Sequence, residues 1–218
     1  MEQSEEIITA ALNVTLEEVA EEEERTRHQM RALVNVIRAH VSPKTKPFVH
    51  LGATSNDIVD TANAFRYKNF VEEILIPTLG GDQTRLETAA YGLPGKISGA
   101  VGTYAAFGLL LPHPRALEVT VLGILGLAPG VSTQIVHPEG WTDLMHECIC
   151  ILGRLARLST FAKDMWLVSV PKIMTTYSDQ ISEHQRDLTN SASQRFMGEI
   201  LAATYYAARE VNYRMMGV

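Results

Sequence analysis

The chain has 218 residues, of which 46% are hydrophobic and 20% charged, proportions that are ordinary for a globular protein. Its net charge of −6 excludes a general basic surface for nucleic acid, although cations could still gather around an anionic ligand. Cys148 and Cys150 are two residues apart on a predicted helix, so we expect no disulfide between them, as in a reducing cytosol. The acidic N-terminus, MEQSEEI, lacks the features of a signal peptide, and no apolar stretch reaches the roughly 18 residues of a membrane span.

The first two predicted helices lie in the N-terminal part of the chain. Residues 16–41 have apolar spacings of three and four, with the acidic run 21–24 on a solvated face, and predict one helix. This helix ends at SPKTKP, residues 42–47, because proline removes an amide donor and disfavours helix in the preceding residue. A second helix is predicted from Ser55 up to PTLGGDQT at 77–84, with an apolar stripe of Ile58, Ala62, Phe65, Tyr67, Val71 and Ile74.

Later segments also favour helices. A glycine-rich segment at 92–103 is followed by a helical stretch at 115–126 and by the loop LAPGVSTQ. A long apolar helix is predicted over 142–169 and a last helix over 190–215, whose stripe contains Phe196, Ile200, Ala203, Ala207 and Val211. Only FVHLG and TQIVH could form short extended pieces. The predicted class is therefore all-α, with long helices packed as a bundle.

The segment VHLGATSNDIVDTA, residues 49–62, places polar side chains just before a predicted helix. A helix N-terminus carries unpaired amide donors and a partial positive charge, so Thr54 and Ser55 could help it to bind an anion. His50 could donate to a carboxylate or phosphate, or transfer a proton. The alternative is an ordinary capped helix, because Thr54 and Asp57 have the spacing of a capping box.

A second polar segment, SEHQRDLTNSASQR at 182–195, contains Arg186 and Arg195 on either side of Ser191. Two guanidinium groups beside a hydroxyl suit a phosphate or a dicarboxylate, and surface ion pairs with neighbouring acids are the alternative. Gln134, in VSTQ, could hydrogen-bond a ligand or only the backbone. The segment GKISGAVGT at 95–103 is rich in glycine like a phosphate loop, but it lacks GxxxxGK[ST] and no strand is predicted before it.

Five segments together resemble adenylosuccinate lyase, an enzyme of the fumarase/aspartase superfamily. They are TRHQM, VHLGATSNDIVDTA, GKISGAVGTYA, STQIV and SEHQRDLTNSASQR, and the similarity runs from about residue 16 to residue 210. The resemblance implies a cofactor-free β-elimination of fumarate from adenylosuccinate, giving AMP, and from the succinyl-carboxamide ribotide of purine biosynthesis. It also implies a cytoplasmic homotetramer with a central bundle of long helices and active sites shared between subunits, with no nucleic-acid or membrane partner.

The resemblance also assigns roles to single residues. His50 would lie in the site, at the phosphate or assisting proton transfer, and no metal ligand is implied. The implied substrate-binding residues are Arg27, His28 and Gln29 at the nucleotide, Thr54 and Ser55 at carboxylate or phosphate oxygens, Gln134 at the succinyl group, and Arg186, Ser191 and Arg195 at the phosphate.

The chain departs from this family in the segments that carry the catalytic groups. The family's GRTHGQ segment, with the general-acid histidine, is expected after residue 79, where only GGDQTRLETAAYGLP stands. The loop GSSxMPHKRNP, with the base serine and a lysine, is expected after DMWLVS, where VPKIMTT follows at once. The family's RDR after STQIV is replaced by HPEGW, and the family usually has aspartate at the position of Gln29.

The expected organisation is part of an N-terminal helical domain over 1–48 and a central helical-bundle domain over 49–218. Segments would be missing near 80–82 and 169–172, and the C-terminal domain would be absent. Two alternatives are another lyase of the superfamily, acting on argininosuccinate or a carboxymuconate, and a non-catalytic helical relative.

Overall fold

The computed structural model describes residues 2–81, 83–100, 102–129, 141–180 and 192–216. Within these ranges the chain is predominantly α-helical, so the predicted all-α class is confirmed. The residues form two compact units, Met1–Ser55 and Asn56–Val218. None of the helices in the described ranges is long and apolar enough to cross a membrane.

The first unit contains three helices and one short turn of 3₁₀-helix. They are α1 (Glu2–Asn13), α2 (Leu16–Thr26), α3 (Gln29–Ala39) and the 3₁₀ turn Lys46–Phe48. A capping box starts α2, since the Thr15 hydroxyl accepts from the Glu18 amide at 3.2 Å and the Glu18 carboxylate accepts from the Thr15 amide at 2.9 Å. The core of the unit is made of Ala10, Val34, Val41 and Val49, with Ile7 and Ile37 packed against it.

The prediction of one helix over 16–41 is wrong, because the chain turns between α2 and α3. Arg27 has a left-handed backbone, with φ at 54°, and its amide closes α2 by donating to the Glu23 carbonyl at 2.7 Å. His28 is extended, and its side chain accepts from the Arg31 amide at 3.3 Å, which starts α3. The sequence has no glycine or proline at this turn, so periodicity alone could not reveal it.

The second unit contains the remaining helices and a minimal strand pair. They are α4 (Ser55–Phe70, beginning at the last residue of the first unit), a π-helix (Val71–Leu75), α5 (Ile76–Leu79), α6 (Thr84–Tyr91), β1 (Pro94–Gly95), α7 (Ala105–Gly108), α8 (Pro114–Ile124), β2 (Ala128–Pro129), α9 (Trp141–Leu155), α10 (Thr160–Gln180) and α11 (Ala192–Met216). β1 and β2 pair in parallel. The prediction that FVHLG could be extended is wrong, since Phe48 ends the 3₁₀ turn and residues 49–52 form turns. The other such segment, TQIVH, lies outside the described residues.

Helices α9, α10 and α11 pack on one another around a shared core. This core contains Leu152, Ala162, Ala203, Ala207 and Val211, so the predicted stripe of the last helix is largely confirmed. The single helix predicted over 142–169 is wrong, because the chain turns at residues 156–159 before α10. Gly153 of α9 allows Trp166 of α10 to pack closely against it, since a Cβ on Gly153 would lie 3.3 Å from the Trp166 Nε1. Helix α10 then passes through 169–172 without interruption and includes Pro171.

Helix α4 turns a polar face inward, contrary to its predicted apolar stripe. Ile58, Phe65 and Ile74, which belong to that stripe, are exposed by 38–43%. The buried residues are instead Asp57, Asp60, Thr61 and Ala64, at spacings of three and four along one side. The inner face of α4 is therefore fixed by polar contacts.

Candidate functional site

The predicted anion-binding residues lie at the start of α4. His50 has a left-handed backbone, with φ at 63°, and Gly52 follows with φ at 77°. Thr54 precedes the helix and Ser55 is its first residue. His50, Thr54 and Ser55 are half-buried. The local geometry therefore suits an anion, because the first amides of a sixteen-residue helix follow two hydroxyl side chains.

The predicted nucleotide contacts Arg27, His28 and Gln29 lie at the turn between α2 and α3. All three are exposed. One His28 ring nitrogen is engaged as the cap of α3, which leaves the opposite edge of the ring for other contacts. Their role at a nucleotide stays a prediction.

The remaining predicted residues lie wholly or partly outside the described part of the chain. Gln134, Arg186 and Ser191 lie outside the described residues. Arg195 lies in the first turn of α11, where the description covers the backbone alone. Their convergence on one ligand therefore stays a prediction.

The inner face of α4 holds the glycine-rich segment through a buried ion pair. Lys96 Nζ lies 2.7 Å from Asp57 Oδ1, and the two side chains are 1% and 0% exposed. Asp57 also accepts from the Ser98 amide at 3.0 Å and from the Gly99 amide at 3.1 Å. The Thr61 hydroxyl donates to the Lys96 carbonyl and accepts from the Lys96 amide, both at 2.9 Å. Two of the five segments that resemble adenylosuccinate lyase are thereby joined.

A second buried carboxylate, Glu118 of α8, holds the other side of this segment. It accepts from the Ile97 amide at 3.0 Å, from the Tyr104 hydroxyl and from Arg115 at 2.9 Å. Burial, together with the hydrogen bond to Glu118, raises the pKa of Tyr104. Tyr104 has φ at 56°, an unusual backbone for a residue with a side chain. Residues 96–99 and Tyr104 are therefore held in place by contacts from α4 and α8.

These contacts distinguish the glycine-rich segment from a phosphate loop. A phosphate loop offers unpaired backbone amides to an external anion. Here the amides of Ile97, Ser98 and Gly99 are bonded to Asp57 or Glu118. The anion that the loop binds is the chain's own carboxylate.

Sequence reasoning did not identify Lys96, Glu118 or the buried role of Asp57. Asp57 was explained by the capping-box spacing, whereas the structure shows its carboxylate bound to the 96–99 segment. The signal available in the sequence was Lys96 itself, a single cation between glycines and apolar residues in GLPGKISGA. A buried lysine requires an acidic partner, and that partner lies 39 residues earlier in the chain.

The two cysteines of α9 have different surroundings. Burial raises the pKa of Cys148 to about 12. Cys150 is half-buried, and its sulfur lies 3.6 Å from His146 Nε2. Within the ranges described above, no group of three His, Cys, Asp or Glu side chains is arranged to hold a metal ion.

Comparison with curated proteins gives matches to adenylosuccinate lyases. The enzyme of Pyrococcus horikoshii is 25% identical over 229 residues, covering 82% of this chain and 50% of the relative. That of Methanothermobacter thermautotrophicus is 28% identical over 269 residues, covering 84% and 59%. That of Thermotoga maritima is 29% identical over 266 residues, covering 84% and 60%. The resemblance to adenylosuccinate lyase is confirmed.

The chain spans about half the length of the adenylosuccinate lyase of Pyrococcus horikoshii. The match with the Methanothermobacter thermautotrophicus enzyme runs over 269 residues, whereas 84% of this 218-residue chain is only about 183 residues. That relative therefore has segments inside the matched region with no counterpart in this chain. No protein-family model matches the chain.

Comparison with solved structures shows the fold. The 3-carboxy-cis,cis-muconate lactonizing enzyme from Pseudomonas putida has a TM-score of 0.64 and 15% identity, covering 94% of this chain and 64% of that one. The fumarate lyase from Mesorhizobium sp. BNC1 has a TM-score of 0.67 and 14% identity, covering 97% and 64%. The chain has the all-α helical-bundle fold of these two enzymes.

Proposed function

We propose that this chain has the function of an adenylosuccinate lyase, the β-elimination of fumarate from adenylosuccinate and from the succinyl-carboxamide ribotide of purine biosynthesis. The observation that carries the proposal is the sequence relation to curated adenylosuccinate lyases over more than four fifths of the chain. The junction of two shared segments at Asp57 adds support, because it ties them into one local structure. We place the reaction in the cytoplasm, without a cofactor.

In the proposed reaction a base removes a proton from the succinyl carbon next to a carboxylate. The C–N bond then breaks, its electron pair goes to the departing nitrogen, and an acid protonates that nitrogen to give AMP and fumarate. The chain's own residues would bind and orient the substrate. Thr54 and Ser55, at the positive end of α4, would hold carboxylate or phosphate oxygens, and His50 would assist proton transfer nearby.

The other proposed contacts complete the two ends of the substrate. Gln134 would bind the succinyl group. The nucleotide would be held by Arg27, His28 and Gln29, and its phosphate by Arg186, Ser191 and Arg195. Guanidinium groups suit the phosphate because they donate two parallel hydrogen bonds and stay charged at neutral pH.

We further propose a homotetramer with active sites shared between subunits. Its support is the apolar surface of α10, where Phe161, Leu167, Val168 and Met174 are 39–61% exposed. Apolar exposure on this scale is typical of surfaces that another chain covers. Sedimentation equilibrium would give a mass four times that of the chain; a monomer at micromolar concentration would contradict the assembly.

The function is tested by fumarate release from adenylosuccinate, followed by the loss of substrate absorbance. Ser55→Ala should lower kcat/KM by roughly 10- to 100-fold, because a hydrogen bond to a charged group is lost. Thr120→Ala is the matched control, since among the described residues its exposed hydroxyl bonds only the Ala116 carbonyl of the same helix. Turnover of argininosuccinate or a carboxymuconate in place of adenylosuccinate would contradict the substrate assignment.

A non-catalytic nucleotide-binding relative is the second candidate. The observation that favours it is the shorter matched region, because the expected acid and base segments are among the family features that the sequence lacks. Each such group typically contributes about 10²–10⁴-fold to the rate. Saturable AMP binding without any fumarate release would favour this candidate over the lyase.

A further inference from the structure

The carboxylate of Asp57 lies among donors arranged around a single anion. Oδ1 accepts from Lys96 Nζ at 2.7 Å, from the Ser98 amide at 3.0 Å and from the Gly99 amide at 3.1 Å, and Oδ2 accepts from the Gly99 amide at 3.1 Å. Backbone amides and an ammonium group that converge in this way are the donors with which proteins bind free anions. In this chain the anion is supplied by α4.

Burial makes this arrangement hard to disrupt. A buried charge that loses its partner is strongly disfavoured, because no water replaces the missing hydrogen bonds. Lys96 Nζ also donates to the Gly99 carbonyl at 2.8 Å, and Thr61 bonds the backbone of Lys96. The 96–99 segment is therefore attached to α4 through both backbone and side-chain groups.

The attachment point lies in the first turn of α4, two residues after Ser55. The N-terminal turn of a helix is otherwise the part that frays, because its amides have no partner within the helix. Asp57 accepts hydrogen bonds from three donors of the buried segment, the Lys96 ammonium and the amides of Ser98 and Gly99, and these bonds hold the turn to that segment. The turn is thereby ordered before any ligand arrives.

We infer that Asp57 is a positioning residue of the nucleotide site, whose carboxylate fixes the 96–99 segment to the first turn of α4 and so holds the Ser55 hydroxyl ready for substrate. This inference rests on the proposed function and deepens it. Asp57 touches no substrate atom in this role. Its effect is preorganisation, which lowers the free-energy cost of ordering the site when a ligand binds.

Chemical rescue separates this role from general stabilisation of the fold. Asp57→Ala removes the carboxylate but leaves its donors, and formate is a free carboxylate small enough to replace it. AMP dissociation constants are measured by titration calorimetry on the full chain, with sodium formate or with sodium chloride at equal ionic strength. Ala64→Gly is the matched control, because Ala64 is buried on the same face of α4 and is not a partner of Asp57.

We expect Asp57→Ala to weaken AMP binding by at least about tenfold, since small displacements of a binding group have effects of this size or larger. Formate should restore most of the affinity and chloride should not. Formate should not improve AMP binding to wild type or to Ala64→Gly. Wild-type affinity in Asp57→Ala, or a loss that formate leaves unchanged, would overturn the positioning role while the proposed function stands.

A wild-type chain that neither binds AMP nor releases fumarate would overturn the proposed function and this inference together. If Asp57→Ala does not fold, the positioning role is tested with Asp57→Asn. This variant keeps the shape of the side chain but places an NH₂ group against the Lys96 ammonium and the backbone amides. We expect several-fold weaker AMP binding for Asp57→Asn with no rescue by formate. Unchanged AMP binding in that variant would equally overturn the positioning role.

Discussion

Gly95 is the residue at which the packing around the glycine-rich segment can be tested most sharply. It forms β1 with Pro94 and is enclosed by residues of α4, α8 and the segment just before β2. A Cβ added there would lie 2.3 Å from Leu122 Cδ2, 3.2 Å from Thr61 Oγ1 and 3.3 Å from Leu127 Cδ1. Gly95→Ala therefore adds one methyl group where no space exists.

The size of the effect follows from these distances. Carbon atoms in contact prefer about 3.5–4.0 Å, so Leu122 would have to move by more than about 1 Å. Leu122 is fully buried, and Thr61 cannot withdraw without weakening its two bonds to Lys96. Overpacking of this kind typically destabilises a protein by about 1–3 kcal/mol. For a unit of this size that is a fall in Tm of roughly 2–12 °C.

The assay is thermal and urea unfolding of wild type, Gly95→Ala and Gly198→Ala. Gly198 is the matched control because it lies within α11 and a Cβ there would meet nothing within 4 Å. Gly198→Ala should raise stability by about 0.5–1 kcal/mol, the helix propensity difference between the two residues. Equal stability of Gly95→Ala and wild type would refute the close packing of α4 and α8 around β1.

Three further outcomes are expected. Iodoacetamide should label Cys150 and leave Cys148 unmodified in the native chain, because burial raises the pKa of Cys148 to about 12. Peptide mass mapping would identify the labelled cysteine, and labelling of Cys148 in place of Cys150 would contradict this prediction. The carboxyl of Glu22 should titrate by NMR with a pKa of about 2, because Arg25 and Asn35 donate hydrogen bonds to it. Since this pKa lies below the ordinary 4.5, the contribution of Glu22 to stability is present above pH 4.5 and is lost as the pH falls through 2. A titration of Glu22 with an ordinary pKa would contradict these contacts. Arg186→Ala should weaken AMP binding by about 1.5–3 kcal/mol if the guanidinium holds the phosphate, and unchanged affinity would reject that role.

The sequence predicted the helical class and the positions of several helices because apolar periodicity carries that information. Helix α8 and helix α11 lie close to their predicted ranges, and α4 begins at the predicted Ser55. The turns at Arg27 and at 156–159 were missed because neither contains proline or glycine. A left-handed arginine followed by a histidine cap has no strong compositional signal.

The candidate site was predicted in part. The polar residues at the start of α4 stood out because hydroxyl groups before a helix have a known physical role. The Asp57–Lys96 pair did not, because it joins residues 39 positions apart and Asp57 already had a local explanation in the capping-box spacing. The inward polar face of α4 was not predicted for the same reason, because only the fold shows that this face packs against the buried 96–99 segment.

Equilibrium binding of adenylosuccinate to the full chain tests the central proposal most directly, because binding does not require the acid and base of the elimination. We expect saturable binding that AMP displaces and argininosuccinate does not. No detectable binding at adenylosuccinate concentrations of about 1 mM, the weak end of ordinary substrate affinities, would contradict a nucleotide site in this chain.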